Sequence, residues 1–190
     1  MCARFDLDAA VADESIAAAD TFNPEIRQLP GGTVRPSEPA LVIAGHNDRI
    51  HAGIMTWGLP RYDGRGLVIN TRSETALEKQ MFRDSMLRRR CVIPARAFHE
   101  WDPDRQMVTF SLDDRRPIWM AGIYDEAHRY SVLTTAANPS VARFHDRMPV
   151  LLDQDALRAW LFDPEAAVRL MAGQMPELQH HQEYEQTSLF

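Results

Sequence analysis

Apolar and polar positions alternate in short runs along most of this chain, and only a few stretches carry helical spacing. Runs of β type fall at "ALVIA" (40–44), "IHAGIMTW" (50–57) and "GLVIN" (66–70). Others are "CVIPARAFHEW" (91–101), "QMVTFSL" (106–112), "PIWMAGIY" (117–124), "YSVLTTAA" (130–137) and "PVLL" (149–152). Between them, "DLDAAVADESIAAAD" (6–20) predicts an Ala-rich helix with Asp at its start. Thr71-x-x-Glu74 has the form of a capping box, and the apolar spacing behind it predicts a helix over 74–89. Asp153 caps a third helix, "DQDALRAWLF" (153–162), after which the chain reads as helical and then irregular. "LPGGTVRPSEP" (29–39) is loop. Many short strands that do not alternate with helices predict an α+β single domain. Its sheet is expected to be mostly antiparallel and barrel-like, with flanking helices.

Composition narrows this only modestly. At 190 residues, 45% hydrophobic and 25% charged, the chain is ordinary for one globular domain with a real core. No apolar run approaches a membrane span, and no basic region precedes an apolar leader. Two cysteines make no disulfide framework, so the cytosol is the expected compartment. A net charge of −6 argues mildly against a nucleic-acid partner, yet the charge is uneven. Residues 61–100 hold nine basic and five acidic side chains, an excess of +4, between acidic ends. That middle could form a phosphate-binding face, or "RRR" (88–90) could be a solvated helix end. Lys79 is the only lysine, so a Schiff base here could use only Lys79 or the α-amine.

Four stretches set chemically capable residues beside apolar strands: "MCARF" (1–5), "INTRSET" (69–75), "RRRCVIPARAFHEW" (88–101) and "HDRMPVLL" (145–152). Singly each is weak. His145 alone is more often a hydrogen-bonded structural histidine than a catalyst. Glu100 could be an edge carboxylate, and Asn70 could cap the next helix. Cys2 is the more telling residue. Aminopeptidases trim Met before a small residue, which would leave a chain beginning with one residue that carries both a free α-amine and a thiol. Neither C-x-x-C nor H-x-x-x-H occurs, so no metal is implied.

In this order, together with "MTWGLP" (55–60), the stretches resemble the SRAP family, the SOS-response-associated peptidases now understood as abasic-site processing proteins. The matches run from residue 1 to about 152. Departures are Ala3 for Gly, Thr71 for Ala, His99 for Tyr and Thr33 for Asn, and the family's usual final segment is missing or rewritten. An SRAP-like domain is therefore expected over 1–172, followed by a tail over 173–190.

The resemblance implies covalent capture of abasic sites in single-stranded DNA, as part of DNA repair, by a monomer without a cofactor. The α-amine of Cys2, with a reference pKa of about 8, is partly neutral at pH 7 and would attack the open-chain aldehyde. The Cys2 thiol would then close a thiazolidine ring. Glu100 and His145 would move protons, and Asn70 would hold the Cys2 terminus or the sugar. Arg4, Thr33, Pro36, Tyr62, Arg72 and Arg147 would contact the DNA. Lyase and peptidase activities fall within the same implication, and the protein would be cytoplasmic and nucleoid-associated. Two rival readings stay open: a peptidase with Cys2 as N-terminal nucleophile, and a non-catalytic single-strand binding module. Separately, Gln186-Thr187-Ser188-Leu189-Phe190 fits a Gln-x-x-Leu-Phe pattern resembling bacterial sliding-clamp-binding peptides, with Gln186, Leu189 and Phe190 as anchors.

Overall fold

The computed structural model describes residues 2–113 and 115–182. One sheet runs, in spatial order, through Arg147–Pro149, Arg129–Ala136, Ile118–Tyr124, Arg90–Ala95, Pro39–His46, Arg49–Trp57 and Thr21–Phe22. Arg129–Ala136 pairs again, in parallel, with Arg49–Trp57, setting Tyr130 opposite Trp57. That second pairing turns the strand order into a ring. Asn70–Arg72 lies parallel beside Arg129–Ala136, with Asn70 opposite Val132.

A second, antiparallel sheet has the order Gln179–Gln182, Met107–Ser111, Ala97–Trp101, Arg4–Leu7, Gly32–Val34. The two sheets share one core. Phe5 of the second sheet packs 5.2 Å from Trp57 of the ring, and Trp57 stacks on Tyr130 at 6.1 Å. All three are fully buried, each contributing about 1.5–3 kcal/mol. The α+β, mostly antiparallel expectation therefore holds.

Several elements differ from the sequence pattern, each for a physical reason. The apolar run 91–101 breaks at Arg96, where the chain leaves the ring for the second sheet. There the Arg96 backbone N–H donates to Asp6 O at 2.7 Å, and its guanidinium pairs with Asp8 at 2.8 Å. Asp8 also accepts from the Val11 N–H at 2.8 Å, so the first helix starts at Ala9, and Asp6 belongs to a strand. The capping box does not form: Thr71 is buried in a strand, with its hydroxyl 2.9 Å from Ser131 Oγ. A short 3-10 turn, Ser73–Thr75, comes next, and the helix proper is Gln80–Arg88. "DQDALRAWLF" begins as a 3-10 turn and is α-helical only over Leu157–Phe162; Asp163 then caps the helix Pro164–Met171.

The basic run 88–90 is neither a free phosphate face nor simply solvated. Arg90 is 5% exposed and donates to the carbonyls of Met86, Leu87, Trp160 and Leu161, closing the ends of two helices. Arg88 and Arg89 pair with Asp84. Nor does the domain stop at residue 172. Leu178 is buried, and Gln179–Gln182 adds an edge strand against Met107–Ser111, setting Gln182 opposite Val108, which itself faces Glu100. The Gln-x-x-Leu-Phe segment, 186–190, lies outside the described residues.

Candidate active site

The N-terminal residues reach the site because Arg4–Leu7 is zipped to Ala97–Trp101, with Arg4 opposite His99 and Phe5 opposite Phe98. This delivers Cys2 to the inner end of the strand that carries Glu100. Cys2 is fully buried, with its Sγ 3.4 Å from the Arg4 carbonyl oxygen. Asn70, at the start of its strand, donates from Nδ2 to the Cys2 carbonyl oxygen at 2.7 Å. A bond across 68 residues of sequence thus fixes the backbone next to the thiol. The alternative role for Asn70, capping the next helix, falls away, because no α-helix begins until Gln80.

Glu100 is 1% exposed, and His145 Nε2 stands 4.0 Å from its Oε2. Burial raises the Glu100 carboxyl above its ordinary value; the nearby His145 charge acts the other way, and Asp146 adds to the rise. Burial, followed by the charge of Glu100, pushes the Cys2 thiol well above its ordinary range. The thiol is held protonated, and any use of it as a nucleophile needs a base beside it.

Both nitrogens of the His145 ring face polar neighbours. Its Nδ1 lies 3.0 Å from the Arg147 backbone N–H, which in the neutral ring donates to it and leaves the ring proton on Nε2, toward Glu100. When the ring is charged, Nδ1–H has Asp146 Oδ1 at 3.2 Å and the Arg147 carbonyl at 3.1 Å.

The ring is set by its neighbours in the chain. The short helix Pro139–Ala142 precedes it, capped by Asn138, whose Oδ1 accepts from the Ser140 N–H at 3.1 Å. Asn138 Nδ2 also donates to Pro176 O at 2.7 Å and Met175 O at 3.2 Å, and the Leu178 N–H donates to Ser140 Oγ at 3.1 Å. Residues 175–178 therefore strap down the segment that presents His145.

The residues expected to contact DNA are placed unequally. Arg4 lies with its guanidinium 5.0 Å over the Trp101 ring, beside Glu100. Arg72 is exposed, two residues from Asn70. Thr33 is exposed and donates to Asp6 at 2.8 Å, and Pro36 is half-buried. Tyr62 is 80% exposed in the turn before Leu67–Val68.

Arg147 departs from its expected role. It is 9% exposed, and its fork is engaged by Glu74, Nη1 to Oε1 at 2.6 Å and Nη2 to Oε2 at 2.8 Å. A guanidinium engaged by a carboxylate and the Thr134 carbonyl is not available to a phosphate. Its backbone N–H instead meets His145 Nδ1 at 3.0 Å. Glu74, Asn138 and Trp101 join the site although no role there was expected of them. Glu74 stands within "INTRSET", and its acidic charge opposite an inward arginine was the available clue.

Comparison with known proteins places the chain among related sequences and folds. The family model described as SOS response associated peptidase (SRAP) matches residues 1–187. The abasic site processing protein YoqW of Bacillus subtilis is 31% identical over 182 residues, covering 85% of this chain and 80% of that protein. The abasic site processing protein YedK of Escherichia coli is 27% identical over 176 residues, covering 85% and 79%. A crystal structure from Bacteroides thetaiotaomicron superposes with a TM-score of 0.79 at 20% identity, over 97% of this chain and 93% of that one. That likeness establishes the fold.

Proposed function

The chain belongs to the SOS response associated peptidase (SRAP) family, and from that premise we propose that it processes abasic sites in single-stranded DNA by covalent capture on Cys2. The observation that carries the proposal is the grip of Asn70 on the Cys2 carbonyl, with Glu100 on the strand paired to the N-terminal one and His145 4.0 Å from it. A merely structural cysteine needs neither.

Removal of Met1 frees the α-amine of Cys2. The amine adds to the open-chain aldehyde of the abasic sugar, and a proton passes from nitrogen to oxygen to give a carbinolamine. Glu100, whose carboxyl is raised above its ordinary value by burial, donates a proton to the departing hydroxyl, and water leaves with the C–O bond. A protonated imine remains. The Cys2 thiol gives its proton to the Glu100–His145 pair, sulfur bonds to the imine carbon, and the C=N electron pair returns to nitrogen, which keeps its proton. The sum is aldehyde plus amine plus thiol, giving thiazolidine plus one water. The burial that holds the thiol protonated also holds it next to the one electrophile it meets.

Arg4, Arg72, Thr33, Pro36 and Tyr62 form the DNA-contacting set in this reading, and Arg147 acts through His145. The rival peptidase reading uses the same amine and thiol but gives no role to exposed Arg72 or to Arg4 stacked on Trp101. The Gln186-Thr187-Ser188-Leu189-Phe190 segment would tether the protein to a sliding clamp and raise its local concentration at replication forks. Titration of purified clamp with wild type and with a Leu189→Ala, Phe190→Ala variant tests that partner; equal binding rejects it.

The proposal as a whole is tested with uracil-containing single strands treated with a glycosylase, followed by a denaturing gel. Wild type gives a heat-stable adduct. Cys2→Ala keeps an α-amine and gives at most a short-lived one; an equally durable Cys2→Ala adduct rejects the thiazolidine.

A further inference from the structure

A second cleft opens at the end of the ring away from Cys2. The hairpin joining Pro39–His46 to Arg49–Trp57 turns at Asn47 and Asp48, with φ of 49° and 58°. Beside it, the connection from Ile118–Tyr124 to Arg129–Ala136 turns at His128, with φ of 55°. Between the two turns lies a cleft of about 650 Å³ whose polar walls are His46, Arg49, His51, His128, Tyr124 and Thr21. Along the strand from His128 to Val132, opposite the Asn70 that holds Cys2, the separation is about 13 Å at roughly 3.3 Å per residue.

The composition of this lining is unusual for the chain. Acidic residues outnumber Lys and Arg by 27 to 21 overall, yet the cleft lining holds no carboxylate and gathers three of the seven histidines around an arginine. Asp48 is exposed on the hairpin turn, and the other carboxylates near the cleft face cations or backbone donors. Asp20 accepts from the Ile50 N–H at 2.7 Å and faces Arg158 at 3.8 Å. Asp125 accepts from Arg129 at 2.8 Å, and Glu126 faces Arg89 at 3.7 Å.

The histidines do not form a metal site, since no cluster among the described residues could hold an ion. They form a wall of nitrogen donors. His51 Nδ1 lies 2.8 Å from Thr21 Oγ1, and a hydroxyl that donates to it leaves the ring proton on Nε2 as a donor. Opposite, Tyr124 and His128 stack at 6.3 Å with 27° between their planes, a surface that accepts a flat ring.

We propose that this cleft is a second nucleotide-binding site, taking a phosphate group on Arg49 and the imidazoles and a base against Tyr124 and His128. It is independent of the chemistry at Cys2. The phosphate can belong to a free nucleotide or to the backbone of a DNA strand passing the far end of the ring. Such a contact would give an acidic protein a second hold on its substrate.

The test is calorimetric titration with thymidine monophosphate and with a short thymidine oligonucleotide, free of abasic sites. The proteins are wild type, a His46→Ala, Arg49→Ala double variant and Arg72→Ala. All three substituted residues are exposed, so the variants keep the fold. The double variant is expected to lose about tenfold or more in affinity, and Arg72→Ala to bind the monophosphate like wild type. Loss toward the monophosphate identifies a nucleotide site, and loss toward the oligonucleotide alone identifies a backbone contact. Three results overturn the proposal: wild type binding neither probe, the double variant binding both unchanged, or the loss falling on Arg72→Ala instead. Abasic adducts measured in parallel report on Cys2 separately, so failure there is distinguishable from failure here.

Discussion

Replacing Glu74 with alanine probes how the fold sets His145. The Arg147 fork is nine-tenths buried and its two-point partner is Glu74, so Glu74→Ala leaves a guanidinium inside the protein without its counter-charge. Breaking a fully buried pair costs about 3–5 kcal/mol. Here the Glu74 side chain is 49% exposed, and water can take up part of the loss, so about 2 kcal/mol is the better figure. For a domain of this size that lowers Tm by roughly 4–8 °C.

The pH dependence has a definite sign. Glu74 is held below its ordinary carboxylate value, first by its hydrogen bond to Arg147. Its contribution is therefore present above the unfolded-state value of 4.5 and is lost as pH falls through the depressed folded value. Thermal melts of both proteins at neutral pH and in a series below 4.5 give the assay, with the gap closing on acidification. Adduct formation should slow in the same variant, because the Arg147 backbone N–H that orients His145 Nδ1 loses its anchor. A gap that stays constant with pH, or a variant as stable as wild type, refutes the reasoning.

Other expectations follow from the same geometry. Glu100→Gln should be more stable than wild type at pH 7, because a raised buried carboxyl costs stability as pH climbs from 4.5 through its folded value. Each tenfold change in the carboxyl's proton affinity on folding is worth about 1.4 kcal/mol, and melts should show the advantage vanish in acid. The same variant should form adduct about 10²–10⁴-fold more slowly. Asn138→Ala should slow adduct formation and shift its pH profile through His145, with Asn138→Asp restoring the helix cap but not the donation to Pro176; an unaltered pH profile denies the strap its role. Arg72→Ala should weaken single-strand binding and lower the salt slope by about 0.7, and an unchanged slope would move the DNA path elsewhere.

The residues of the proposed chemistry were legible because each occupies a short motif in a fixed order, and four such motifs together specify a family. What the motifs did not carry was the direction in which a charged side chain points. Arg90 and Arg147 both read as surface cations, yet the first closes two helix ends and the second is held by a carboxylate 73 residues away. Thr71 had the spacing of a cap but the burial of a strand residue, and packing against Ser131 overrode the local signal. The break at Arg96 was hidden because the run is apolar on both sides, although the chain changes sheets there. The edge strand Gln179–Gln182 reads "QHHQ", with no apolar alternation, and is held by its neighbour's ladder and by Gln182 donating to Asp102.

Counting thiols in the isolated adduct tests the central claim most directly. The chain has two cysteines, both reduced, Cys2 and Cys91. Unfolded free protein should take up two alkyl groups from a thiol reagent, as read by intact mass. In a thiazolidine the Cys2 sulfur is bonded to the sugar carbon, so the denatured adduct should take up one group, on Cys91. Its protein part should also lack Met1. An adduct that takes up two groups, or that retains Met1, would contradict the account.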